Sequence, residues 1–266
     1  MSAHVENLKP ADSGILTEST KPPIISVQNL SKVFGDFRAV DNISFEVREG
    51  EIFGFLGANG AGKTTAMKIL CALSMPSGGS VRVAGFNIYT QSEQIKRNIG
   101  YMSQKFALYN DLKVWENLYL FGRIYGMKKQ EIMPKIDALL SELDFLDKKN
   151  VLVGDLPLGW KQKLSFCVAN FHAPKVVFLD EPTGGVDPIT RRQFWELIHK
   201  AAARGTCIFV TTHYMDEAEY CHRASIMVDG KIEALGTPKE LKNAFGVDSM
   251  SEVFYILARR AQRGGE

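Results

Sequence analysis

An α/β fold organised around a P-loop is predicted by three observations. Residues 57–65 read G-A-N-G-A-G-K-T-T, which fulfils the spacing G-x-x-x-x-G-K-[ST]. The loop stands between an apolar run at 51–56, of the kind a buried strand needs, and a helix-like segment at 64–73. Far downstream a second apolar run, Val176-Val177-Phe178-Leu179, ends in the paired acids Asp180 and Glu181. A strand without polar alternation suits the centre of a parallel sheet with helices on both faces. Such sheets collect ligands at the carboxyl ends of their strands, so the P-loop and the acid pair are expected side by side.

The remaining elements follow in order. Residues 1–23 are mixed polar, carry Pro10, Pro22 and Pro23, and show little periodicity, so a disordered tail is expected. Strand-like alternation begins at 24–29, and a second such stretch covers 43–47, with Phe34, Gly35 and Asp36 between them. Glu49-Gly50 then leads into the P-loop strand. Residues 115–125 and 131–143 carry apolar side chains at helical spacing, and their aromatics read as packing. A third strand, 206–212, ends at His213, so three strand ends converge on one point. Residues 224–234 read as a hairpin around Asp229-Gly230, a dipeptide that tolerates the backbone of a two-residue turn. Residues 251–262 read as a closing helix.

The chemistry follows from charge and backbone. Gly57, Gly60 and Gly62 let the chain curl until successive N–H groups point inward, with Asn59, Ala61 and Thr65 part of the same cradle. That nest and the following helix N-terminus suit a polyphosphate. Lys63 is expected to reach the β and γ phosphates, and the Thr64 hydroxyl to bind Mg2+. Asp180 takes the Walker B role, holding the metal through water. Side chains of neighbouring residues at a strand end point to different sides, so Glu181 is free to face the attacking water as general base. His213 has two readings at this level, a site residue or a core histidine bonded to backbone.

Composition excludes several classes. A chain of 266 residues accommodates one large domain or a domain with an inserted lobe. The net charge of +2 gives no argument for a nucleic-acid partner. No apolar stretch approaches the roughly 20 residues needed to span a bilayer, and residues 1–10 have no apolar signal core. A cytoplasmic protein is therefore expected. Cys71, Cys167, Cys207 and Cys221 lack C-x-x-C spacing and read as reduced and mostly buried. Cys221, His222 and His213 are a poor metal site, because no second cluster completes the usual zinc ligand count.

The ordered set Gly57–Thr64, Gln104, Gly159-Trp160-Lys161-Gln162, Asp180-Glu181-Pro182-Thr183, Gly185-Val186-Asp187 and His213 resembles the nucleotide-binding subunit of an ABC transporter. The resemblance covers 24–240 and implies a RecA-like core, an antiparallel β subdomain and a helical lobe inserted at about 105–173; residues 241–266 would be a C-terminal helical end. It implies ATP and Mg2+ as ligands. Gln104 becomes the Q-loop glutamine, among both the catalytic and the metal-contacting residues, Asp187 a D-loop residue, and His213 the switch histidine on the γ-phosphate. Phe34 would be the aromatic platform for adenine, with Phe37 its rival. The implied partners are a transmembrane permease, met by the lobe and the Q-loop, and a second ATPase subunit, since two such domains sandwich two ATP molecules head to tail. A soluble ABC protein acting on nucleic acid or ribosomes is disfavoured by the lack of tandem cassettes, long heptads or zinc motifs. A P-loop GTPase or small-molecule kinase leaves the acid pair and His213 unexplained, and no N-K-x-D guanine motif is present.

One departure stands out. Where the family signature usually reads L-S-G-G-Q, this chain has Leu156-Pro157-Leu158-Gly159-Trp160. Proline supplies neither the serine hydroxyl nor a backbone N–H, although it is tolerated in a first helical turn, where the helix dipole can still face an anion. This form, with D-E-P-T-G-G-V-D-P and T-T-H-Y-M-D-E-A-E-Y-C, resembles one branch of bacterial ABC-2-type export ATPases, among them multidrug exporters. The branch implies a place on the inner face of the plasma membrane, held there by an ABC-2-type permease. An importer ATPase is the nearer alternative, though importers often carry longer C-terminal regulatory domains. A helix from 159 to 172 would hold the signature about 20 Å from its own strand end, so Gly159 is expected to serve another subunit's P-loop.

Overall fold

The computed structural model describes residues 22–104 and 107–263. The expected tail, 1–23, lies outside the described residues except for 22 and 23. Alternating residues form β1 (Ile25–Phe34) and β2 (Phe37–Val47), an antiparallel pair in which Phe34 faces Phe37 across the turn. The second strand starts earlier than its apolar pattern suggests, because shifts in the β1–β2 register interrupt the alternation. Strand β3 (Ile52–Gly57) is buried at all positions and runs through the P-loop into α1 (Lys63–Leu70). β4 (Gly78–Val83) and β5 (Phe86–Asn87) complete a four-stranded sheet of order β2-β1-β4-β5.

From α2 (Ser92–Asn98) the chain enters β6 (Ile99–Met102) and then the helices α3 (Val114–Ile124), α4 (Lys129–Glu142) and α5 (Leu158–Asn170). It returns through β7 (Val176–Asp180), α6 (Pro188–Ala203), β8 (Cys207–Thr212), β9 (Arg223–Val228) and β10 (Lys231–Gly236), and continues in α7 (Pro238–Phe245) and α8 (Met250–Arg263). The second sheet has the order β10-β9-β3-β8-β7-β6, with β3, β6, β7, β8 and β9 parallel and β10 antiparallel at one edge. Asp229 and Gly230 make the β9–β10 turn at φ 46° and 81°, the left-handed backbone that the Asp-Gly pair predicts.

The period-two rule divides the apolar strands between two cores. Val176 and Phe178 face the antiparallel sheet and α1, whereas Val177 and Leu179 face α5 and α6. Phe45 of β2 stacks on Phe53 of β3 with centroids 5.5 Å apart, and Phe53 on Phe209 of β8 at 5.6 Å, so the two sheets share one aromatic core. α3, α4 and α5 enclose a separate cluster around Leu118, Ile136 and Leu164. α5 crosses β6 so closely that a Cβ on Gly100 would lie 1.9 Å from the Ala169 carbonyl oxygen. Pro157 lies at the N-cap of α5 in an extended conformation, φ −55° and ψ 153°, just ahead of the first helical turn. A cap residue needs no intrahelical N–H, so proline costs the helix nothing there.

Candidate functional site

The P-loop is held by close backbone approach. Gly62 adopts φ 101° at the start of α1, and a Cβ there would meet the Ala39 carbonyl oxygen at 2.2 Å. A Cβ on Gly57 would meet the Met227 carbonyl oxygen at 2.4 Å. Only glycine fits either position, which fixes the curl between β3 and α1. Asn59, Gly60 and Thr64 stay exposed, Thr65 is half-buried, and Ala61 is buried beneath the loop.

The parallel register brings the rest to this loop. Asp180 pairs with Thr211 across β7 and β8. The Thr211 hydroxyl donates to Asp180 Oδ1 at 2.7 Å, and the Thr64 hydroxyl donates to the same oxygen at 3.3 Å. One residue on, the backbone turns left-handed, with φ 48° at Glu181. Non-glycine residues rarely hold this conformation, and where they do it is often at a functional site. The turn sends the Glu181 carboxylate away from that of Asp180, towards three other groups. Gln104 Nε2 donates to it at 3.1 Å, His213 Nδ1 lies 3.1 Å away, and Lys63 Nζ 3.6 Å away. Lys63, only 4% exposed, also donates to the carbonyls of Gly57 at 2.8 Å and Ala58 at 3.0 Å. Burial pulls its ammonium below the ordinary lysine range, and the carboxylates of Glu181 and Asp180 work against that shift.

Lys63, Thr64, Gln104, Asp180, Glu181 and His213 thus form one cluster. His213 is a member of it, with its side chain 32% exposed, and is no core histidine. The other expected residues lie apart. Phe34 and Phe37 are both exposed at the β1–β2 turn, so both rings are free to stack, and Phe34 carries Lys32 Nζ 4.9 Å above its ring. Asp187 caps α6, accepting from the backbone N–H groups of Ile189 and Thr190 at 3.0 Å and from the Thr190 hydroxyl at 2.6 Å. These bonds, that of the Thr190 hydroxyl first, hold its carboxyl below the usual range. Gly159 packs on the same threonine, where a Cβ would lie 2.6 Å from Thr190 Cγ2. Pro157, Gly159, Gly185 and Asp187 line a cavity of about 470 Å³ that includes neither Lys63 nor Glu181.

Two supports escaped sequence reasoning. Thr211 holds Asp180, yet in the sequence it is one more residue of a β-branched run. Glu217 is fully buried, accepts from the Thr183 hydroxyl, and lies 3.8 Å from Arg191 Nε, whose guanidinium covers the Tyr214 ring at 4.5 Å. Burial pushes its carboxyl above the usual range. In the sequence it lies in M-D-E-A-E, where nothing local marks one of the three acids for burial.

The four cysteines are free and buried as expected, and burial pushes the Cys167 thiol up to about 12. Cys221 Sγ contacts the Glu217 carbonyl at 3.6 Å, and His222 Nδ1 accepts from the Ile52 N–H at 2.9 Å, so these two side chains are engaged in packing. Among the described residues no helix is long and apolar enough to cross a membrane.

Parallel strands β3, β7 and β8, a glycine-gripped P-loop and an acid pair at the next strand end define a P-loop nucleoside triphosphatase. The sequence profile of ABC transporters matches residues 40–184. The Probable multidrug ABC transporter ATP-binding protein YbhF of Escherichia coli (strain K12) is 43% identical over 219 residues, 82% of this chain and 38% of that protein. The Nod factor export ATP-binding protein I of Burkholderia thailandensis is 38% identical over 218 residues, 82% of this chain and 72% of that protein. A solved ATP-binding subunit of an ABC transporter superposes with a TM-score of 0.79 at 27% identity, covering 88% of this chain and 99% of the other. The chain belongs to the ABC transporter family. It spans well under half the length of the YbhF protein it matches.

Proposed function

We propose that this chain hydrolyses MgATP to drive export through a separate membrane-embedded permease. The observation that carries the reading is the convergence of Lys63, Gln104 and His213 on the Glu181 carboxylate, beside an Asp180 held by Thr64 and Thr211. An amide donor, an ammonium and an imidazole gathered around one anion suit a terminal phosphate, and Glu181 sits where they meet.

The backbone N–H groups of 57–65 cradle the phosphates, and Lys63 turns from its own loop carbonyls to the β and γ phosphates. Thr64 and Asp180, with Gln104, have the hard oxygen donors that suit Mg2+. That ion supplies charge neutralisation across the phosphate oxygens. Glu181 accepts a proton from a water whose oxygen bonds to the γ-phosphorus as the bond to the leaving β–γ bridging oxygen breaks; ADP and phosphate result. His213 and Gln104 position the water and the γ-phosphate. Adenine stacks on Phe34, the residue that ends β1.

The separation of Gly159 and Asp187 from this cluster supports a second subunit that brings its own signature and D-loop to each nucleotide. The names of the YbhF and Nod-factor proteins support export. Residues 24–240 act as the cassette, its helical lobe at about 105–173 meets an ABC-2-type permease, and 241–266 extend it; the chain then works at the inner face of the plasma membrane. The test is reconstitution in vesicles. Transport should need the membrane-embedded chain, ATP and Mg2+, and should fail with Lys63→Ala although that variant folds. Transport by vesicles that lack a second chain would refute the proposal.

A further inference from the structure

Away from the nucleotide cluster, α4, α5 and α6 enclose a cavity of about 380 Å³. This is the size of a small-molecule site, and its wall is chiefly apolar: Leu139 and Leu143 from α4, Phe166 from α5, Phe171 just after it, Leu197 from α6. The polar groups around it are unequal in sign. Lys135, Lys200 and Arg204 contribute three cations, and Glu142 is the one acid in the lining. Lys135 lies over the Phe171 ring with Nζ 5.5 Å from its centroid. Arg204 reaches from beyond the end of α6 to pair with Glu142 at the end of α4. This bridge ties the helical segment to the sheet-bearing core across the cavity. Both partners are substantially exposed, at 65% and 39%, so the pair is open to competition by another anion.

We propose that this cavity binds a small amphipathic anion, such as a medium-chain carboxylate, whose apolar body fills the space between the three helices and whose head replaces Glu142 on Arg204. The apolar wall accounts for the body and the surplus of cations for the head. Because the head competes with Glu142, occupancy releases the bridge between α4 and α6. The site uses none of the residues assigned to ATP.

The test is calorimetric titration of the full chain with decanoate and, in parallel, with decanol, which has the same chain and no charge. One saturable site for decanoate is expected. Glu142→Gln removes the internal competitor and should strengthen decanoate binding roughly three- to fivefold, and Arg204→Gln should weaken it by a similar factor. Decanol binding should respond to neither charge variant. Ala138→Trp, at an exposed position of the lining, should abolish binding of both ligands while leaving ATP binding unchanged; Ala138→Leu provides the same test should the tryptophan variant not fold. Absence of saturable decanoate binding, or binding indifferent to Ala138→Trp and Ala138→Leu, overturns the site. Binding of decanoate that ignores Arg204→Gln and Glu142→Gln overturns the placement of the head.

Discussion

Replacing Glu181 by glutamine changes one charge at the point where the donors converge. The ammonium of Lys63 and the Glu181 carboxylate are 3.6 Å apart and only 4% and 12% exposed. At an effective dielectric of about 20 the raw attraction is about 4–5 kcal/mol, and the desolvation of two buried ions offsets most of it. A net of about 1.5 kcal/mol remains if roughly a third of the raw attraction survives. Nucleotide must break this contact to claim Lys63, so Glu181→Gln should bind ADP and a non-hydrolysable ATP analogue about tenfold more tightly, or better, at about 1.4 kcal/mol per decade. The gain should be larger for the ATP analogue, because the variant also removes repulsion between a carboxylate and the γ-phosphate. Hydrolysis should fall by about 10²–10⁴, the usual contribution of a general base. Titration by calorimetry and single-turnover hydrolysis measure the two effects separately. Unchanged affinity for both nucleotides would show that Glu181 does not compete for Lys63. Normal turnover would remove it from the role of base.

Three further outcomes can be checked. Gly100→Ala should destabilise the fold by about 1–3 kcal/mol or more in denaturant unfolding, since its methyl would meet the Ala169 carbonyl oxygen at 1.9 Å and α5 would have to move. His172 donates from Nε2 to the Ile99 carbonyl at 3.0 Å and stacks on Tyr125, and burial lowers its pKa to about 4. An imidazole with a depressed folded pKa binds protons more readily when unfolded, so stability is complete above pH about 6.5 and declines as pH falls towards 4. The loss at pH 5 relative to pH 7.5 should be about 2 kcal/mol, and His172→Phe should remove that slope. With two copies paired, both composite sites would carry Pro157 in place of a serine donor, at a cost of about 1.5–3 kcal/mol each. Glu181→Gln protein with MgATP should therefore sediment mostly as monomer, and a tight homodimer without a partner would show that Gly159 and the α5 terminus suffice.

The P-loop and the acid pair were legible because their signals are local. Glycine at 57 and 62 reports on backbone that must pass close to another strand, and an apolar run ending in Asp180-Glu181 reports on a buried strand with a polar end. The Asp229-Gly230 turn and the helical spacing of 115–125 and 131–143 were legible for the same reason, since each depends on neighbours a few residues away. Sequence alone therefore determined the class of fold, the glycine-rich loop between β3 and α1, and the order in which the clustered residues occur along the chain.

Tertiary structure decided what the side chains meet. The register of β7 on β8 places Thr211 under Asp180, and the left-handed backbone at Glu181 aims the second acid at Gln104, His213 and Lys63, contacts that span up to 118 residues of chain. It also buried Glu217 against Thr183, made Asp187 a helix cap packed beside Gly159, put Pro157 at a cap, and left both Phe34 and Phe37 exposed. None of these follows from periodicity. A carboxylate in a polar stretch looks the same whether it ends in solvent or beneath a sheet, and only the packing of distant elements removes it from water and chooses its partners.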